Sequence, residues 1–229
     1  MAADLERLVL NLHTLGEIRV ARSYPAAPDP VTGPWKLKSG RISPFYISGR
    51  DLTGFSNELP LPISEQLATR ELAVTALAEL LDGHEAEYNH LYGLPQAGTP
   101  IASLVAGQRR ESFLWGRVGT KDHGVQSPTQ GHYAKNDKVA GIDNVVTAAE
   151  SALAEADKLE KLGLVMSSLF VLVDREEEGR DVLGGHYPPI ELYGAIGASA
   201  AVAILGKSKR ITPRQQEFID GYYRELHAQ

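Results

Sequence analysis

Asp143 closes an apolar run in KVAGIDNVVTAAES, and a carboxylate at such a strand end could hold sugar hydroxyls or a hydrated metal ion. A helix is predicted to start just beyond it, so its first free backbone N–H groups could take a phosphate. The same residues also fit plain helix punctuation. Thr147-Ala148-Ala149-Glu150 matches S/T-x-x-E, a capping box that would satisfy those donors internally. A second candidate is RRESFLWGRVGTKDHGVQSPTQGHYAKND, where Arg117, Lys121 and His123 stand beside Gly119 and Gly124. A polar stretch of about 20 residues is either a lid that closes over a polyanion or a solvated loop. A third is LVDREEEGRDVLGG. Arg175 follows a strong apolar run there and could grip a carboxylate through both arms of its guanidinium, although the surrounding acids read first as a solvated charge run opening a helix. A fourth, GLPQAGTPIASLVAGQ, turns from strand to helix through Gly-x-x-x-x-Gly but lacks the Lys-Ser/Thr of a nucleotide-hydrolysing P-loop.

These loops need elements to hold them, and the hydrophobic pattern supplies them. Leu5, Leu8, Val9 and Leu12 predict an opening amphipathic helix stopped near Gly16. Residues 22–60 are rich in Pro, Gly and Ser around a short alternating stretch at Phe45–Ile47, the composition of a hood of loops and short strands. A long helix follows from Ser64 to Asp82-Gly83. Strands are predicted at Tyr88–Leu94, Phe113–Trp115, Lys138–Ile142, Val165–Val173 and Glu191–Ile196, with helices over 99–109 and 148–162 between them. That alternation predicts an α/β fold with a parallel sheet covered on both faces, whose ligands sit at the carboxyl ends of the strands. Thr212-Pro213 caps a last helix carrying Phe218, Ile219, Tyr222 and Leu226. One domain spanning 1–229 is expected, with a hood at approximately 15–60 and a core at approximately 61–210.

Composition removes several function classes. There are no cysteines, hence no disulfide, thiol nucleophile or thiolate zinc site. A formal charge of −6 offers no overall basic field for nucleic acid or anionic membrane, so an anionic ligand needs a local cationic cluster. The first 20 residues carry Asp4 and Glu6 within their apolar pattern and do not read as a signal peptide, and no stretch approaches the roughly 18–20 apolar residues of a membrane span. A cytoplasmic protein is expected.

In their order along the chain, LKSGRISPFY at 37–46, GTKDHG at 119–124, IDNVVT at 142–147 and VDREEEGR at 173–180 resemble the orotate phosphoribosyltransferase family of type I phosphoribosyltransferases. The resemblance implies a type I phosphoribosyltransferase-like parallel sheet flanked by helices with a small hood subdomain. It implies transfer of a phosphoribosyl group from phosphoribosyl pyrophosphate to orotate, giving orotidine monophosphate and pyrophosphate. Lys38 would then lie near the base and the pyrophosphate, the backbone at Phe45-Tyr46 would pack on the pyrimidine ring, and Arg175 would face the pyrimidine. Arg117, Lys121 and His123 would neutralise the leaving pyrophosphate, Asp143 with Asn144 would stand at the ribose hydroxyls, and Thr147 with its neighbouring amides would take the 5-phosphate. It also implies Mg²⁺, held mainly through pyrophosphate oxygens, and a homodimer whose loop closes over the partner subunit's site.

The chain departs from the family pattern at several points of one polyanion site. Asn144 stands where a second acid is usual, Ala148-Ala149-Glu150 replaces a glycine-containing Thr-rich turn, and Ala97 and Val118 replace basic residues. A carboxylate at Glu150 would compete with a phosphate for the helix donors. These departures define a rival expectation: a catalytically weakened or inactive paralogue of the same fold, acting as a ligand- or partner-binding protein. A phosphoribosyltransferase acting on another base is a third.

Overall fold

The computed structural model describes residues 3–37, 40–84, 86–117 and 129–228. The chain runs α1 (Leu5–Thr14), β1 (Ile18–Val20), β2 (Trp35–Lys36), β3 (Ile42–Ser43), β4 (Phe45–Ile47), a 3-10 turn (Arg50–Thr53), α2 (Ile63–Asp82), β5 (His90–Gly93), α3 (Gly98–Arg109), β6 (Phe113–Gly116), β7 (Thr129–Gln130), β8 (Lys138–Val146), α4 (Glu150–Glu160), β9 (Val165–Asp174), α5 (Gly179–Gly184), β10 (Glu191–Gly197), α6 (Ala198–Lys207) and α7 (Pro213–His227).

Six strands form one sheet in the order β10-β9-β8-β5-β6-β7, parallel throughout except for β7, which returns antiparallel to β6. β9 is apolar and buried along nearly its whole length, as a strand covered on both faces must be. Neighbouring residues divide between two cores. Leu91 and Phe170 pack with α1, α2, α3 and α6, whereas Tyr92, Leu169 and Val171 pack with α4 and α5.

Residues 15–60 hold two small antiparallel pairs, β1 with β4 and β2 with β3. The C-terminal helix α7 fastens them to the core. Phe45 packs edge-on against Tyr222 and at a tilt against Tyr223, each 5.9 Å between centroids. Gln215 completes a capping box with Thr212 and points its Nε2 at the carbonyls of Val20 and Ala21.

Two local expectations are corrected. β8 does not end at Ile142 but runs on to Val146, because β9 pairs with it as far as Val146 opposite Asp174, while β5 stops at Gly93 opposite Ile142. Asp143 and Asn144 therefore lie within a strand that has lost its β5 neighbour. The capping box at Thr147 does not form. α4 starts at Glu150, capped by Ala149 in the left-handed region (φ 58°) with no side-chain cap.

Candidate active site

Where β8 outruns β5, a cavity of about 870 Å³ opens under the hood. Trp35, Tyr46 and Arg50 line it from the hood, Gln96 and Ala97 from the turn into α3, Asp143 from β8, and Thr147 to Ala152 from the start of α4. Gly98 lets the walls approach this closely. A Cβ there would lie 2.3 Å from the Ile142 carbonyl oxygen and 3.1 Å from Asp143 Oδ1, so a side chain would push α3 off β8.

Asp143 accepts a hydrogen bond from the Asn144 N–H at 2.8 Å. Burial pushes its carboxyl up to about 7, and that N–H and the charge of Arg50 pull in the opposite direction. Asn144, 3% exposed, points the other way, as the next residue of a strand does. Its Nδ2 donates to the Gly49 carbonyl at 2.8 Å, and its Oδ1 is buried without a hydrogen-bond partner.

Arg175 reaches the cavity edge, but its guanidinium is 2% exposed and heavily engaged. Nε and Nη2 meet Glu177 Oε1 at 2.8 and 2.7 Å, and Nη2 donates to Ser43 Oγ at 3.0 Å. The guanidinium lies 4.2 Å from the centre of the Phe45 ring, and Nη1 makes only a 3.4 Å contact with the Phe45 carbonyl. Glu177, fully buried, also accepts from the Tyr222 hydroxyl at 3.0 Å, and burial together with this carboxylate pushes Tyr222 up to about 12. Arg41 binds Glu178 and approaches Glu177 Oε2 at 3.5 Å. Glu176, with φ at 56°, accepts from Ser199 N at the start of α6. The acidic run does lead into α5 and leaves Glu176 exposed, but it is not solvated throughout. Much of it is a buried polar joint between β9, the hood, α6 and α7.

Among the expected residues, Tyr46, Asp143, Asn144, Thr147 and Arg175 come together at this cavity. Phe45 is turned into the core beneath Arg175, alternate residues of β4 facing opposite ways. Arg117 follows β6, outside the cavity lining. Lys38, Lys121, His123 and Val118 lie outside the described residues. Sequence reasoning missed Arg50, Glu177 and Tyr222. Arg50 and Tyr222 are ordinary residues of a turn and a helix whose importance comes from partners distant in the chain, and Glu177 matters because its neighbour Arg175 is buried with it.

The parallel sheet, the cleft at its carboxyl edge and the covering hood make up the type I phosphoribosyltransferase fold, which Leishmania donovani UMP synthase shares with a TM-score of 0.77 (24% identity, covering 97% of this chain and 42% of that one). In sequence the chain is similar to orotate phosphoribosyltransferases and UMP synthases. It is 35% identical over 152 residues to a uridine 5'-monophosphate synthase of Caenorhabditis elegans, covering 66% of this chain, and 27% identical over 159 residues to an orotate phosphoribosyltransferase of Thermococcus kodakarensis, covering 68% of this chain and 78% of that one. The matched segment spans 28% of the length of the Caenorhabditis relative. No protein-family model matches the chain. Among the described residues, no helix is long and apolar enough to cross a membrane.

Proposed function

We propose that this chain is an orotate phosphoribosyltransferase acting in pyrimidine biosynthesis, a glycosyltransferase that moves phosphoribose from phosphoribosyl pyrophosphate to orotate. One observation carries the proposal: a single cleft brings together Asp143, the start of α4 and Arg175, in a chain whose relatives bear that name. In the reaction the bond from the sugar's anomeric carbon to pyrophosphate oxygen breaks, the electron pair leaving with pyrophosphate. A carbon–nitrogen bond to the pyrimidine forms, and the ring nitrogen gives up its proton.

Asp143 accepts hydrogen bonds from the ribose hydroxyls in its ionised form. Thr147 and the amides at the start of α4 take the 5-phosphate, a role supported by the absence of a side-chain cap there. Arg175 offers the pyrimidine carboxylate its Nη1, the least engaged of its nitrogens, and Tyr46 and Lys38 complete that side. The described cavity lining carries Lys36, Arg50 and Arg175 against Asp29, Asp143 and Glu150, a balanced set. Neutralising a polyanion therefore falls to Arg117, Lys121 and His123, whose contribution is stabilisation of the leaving group. Asp143 is a hard oxygen donor at the strand end, which suits a Mg²⁺ held mainly through substrate pyrophosphate, and the ion would offset charge on that pyrophosphate. A homodimer that shares its loops between sites belongs to the same proposal.

Calorimetry decides it. Mg²⁺–phosphoribosyl pyrophosphate and orotate should each bind, and a mixture should yield orotidine monophosphate. Binding of neither would overturn the proposal in favour of the inactive paralogue.

A further inference from the structure

The hood turn that carries Arg50 is gripped from two sides. Gly49 sits in the left-handed region at φ 70°, and a Cβ there would stand 3.3 Å from the Asn144 Cβ. On one side the buried Glu17 carboxylate accepts from the N–H groups of Arg50 at 3.2 Å and Asp51 at 3.3 Å, and the Glu17 carbonyl accepts from Ser48 N at 2.9 Å. On the other side Asn144 Nδ2 donates to the Gly49 carbonyl. Arg50 leaves this turn exposed at the cavity wall, and it is the cation whose charge Asp143 feels.

We propose that Asn144 is a positioning residue: by clasping the Gly49 carbonyl it holds the hood turn so that Arg50 faces Asp143 across the cleft, ready for an anionic ligand. The Gly49 carbonyl needs a hydrogen-bond donor at this spot, and the Asn144 amide supplies it. A carbonyl oxygen only accepts, and so does a carboxylate. An aspartate at 144 would press two acceptors together at 2.8 Å in a buried place and add a second negative charge beside Asp143. This gives Asn144 a role of its own at a place where the family pattern usually has a second acid. The ligand part of the inference rests on the phosphoribosyl reading above; the clasp itself does not.

The test has an arm without ligand. In the unliganded protein, amide hydrogen exchange at Arg50 and Asp51 should quicken by about tenfold in Asn144→Asp, and by a smaller factor in the uncharged Asn144→Ala, which also serves if the charged variant fails to fold. In calorimetry with Mg²⁺–phosphoribosyl pyrophosphate, Asn144→Asp should weaken binding by about tenfold, as should Arg50→Ala, with Arg50→Lys recovering part of the loss. Because Asn144 acts through Arg50, the double variant Asn144→Ala/Arg50→Ala, which adds no charge beside Asp143, should bind no more weakly than Arg50→Ala alone. Unchanged exchange overturns the clasp, and an Asn144→Asp variant that binds as well as or better than the parent overturns the positioning role. A parent that binds no phosphoribosyl pyrophosphate overturns the functional reading and the ligand role together, and the exchange arm still decides the clasp.

Discussion

Asp143 stores a cost that its proposed role at the ribose hydroxyls would require. A free aspartate titrates near 4, whereas here burial raises the carboxyl to about 7. Between those values the folded state holds a proton that the unfolded chain has lost, so stability falls as pH rises from about 4 to 7 and stays lower above that. The carboxyl is partly exposed to the cleft, and solvent screening reduces the full linkage to about 1–2 kcal/mol. Asp143→Asn keeps the oxygen that accepts from Asn144 N and removes the charge. Its melting temperature should exceed the parent's at pH 8, with the gain shrinking toward pH 4, while its affinity for the phosphoribosyl donor falls. A variant that melts below the parent at pH 8 would contradict the assignment. In the parent, donor affinity should rise with pH through about 7 as Asp143 ionises. Glu177 poses the opposite case. It is fully buried against Arg175 and Tyr222, and Glu177→Gln leaves a buried guanidinium uncompensated, a loss of about 3 kcal/mol or a melting shift of roughly 6–12 °C. Tyr222→Phe removes a single hydrogen bond and should cost only about 1 kcal/mol by thermal denaturation.

At the scale of elements, the start of α4 decides whether an anion can dock there. Ala149 holds the left-handed conformation that L-residues avoid at a cost of about 1–2 kcal/mol, and glycine escapes that penalty. Ala149→Gly should therefore leave the melting temperature at or above the parent's. Ala152→Gly, at a position also buried but inside the same helix, should cost about 1 kcal/mol or more. Equal losses at both positions would show that the left-handed cap carries no strain. The acidic run after β9 behaves as an element joint. Asp174 pairs with Arg180, Glu176 meets α6 and Glu177 meets α7, so each acid has a different neighbour.

At the scale of the molecule, the cavity is a meeting place of parts distant in the chain. The hood, the carboxyl edge of the sheet and α7 share one polar joint at Arg175, and α7 holds the hood down through Phe45, Tyr222 and Tyr223. If the sites are shared between subunits as proposed, light scattering at micromolar concentration should report a dimer, and a monomer would remove the shared-loop arrangement.

Much of this was legible in the chain alone, because local periodicity and punctuation suffice for elements. The strand at Val165–Asp174, the helix from Ile63 and the Thr212-Pro213 start of α7 each follow from spacing and capping within a few residues. The candidate loops followed in turn, since a parallel sheet puts them at one edge. What the sequence could not determine were the partners of individual side chains. Asn144 finds Gly49 95 positions away, and Arg175 finds Ser43 132 positions away. Thr147-Ala148-Ala149-Glu150 satisfies a capping pattern, yet tertiary packing carries β8 four residues past its expected end and puts Ala149 at the cap. A helix cap is a local solution worth about 1 kcal/mol, and burial against a second element outweighs it. So the sequence by itself determined most of the sheet strands and their covering helices, though not α6 or β7, and the sheet edge where ligands would sit, whereas only the tertiary structure decided which way Asn144 and Arg175 point, because a buried polar group must take whichever partner the fold brings to it.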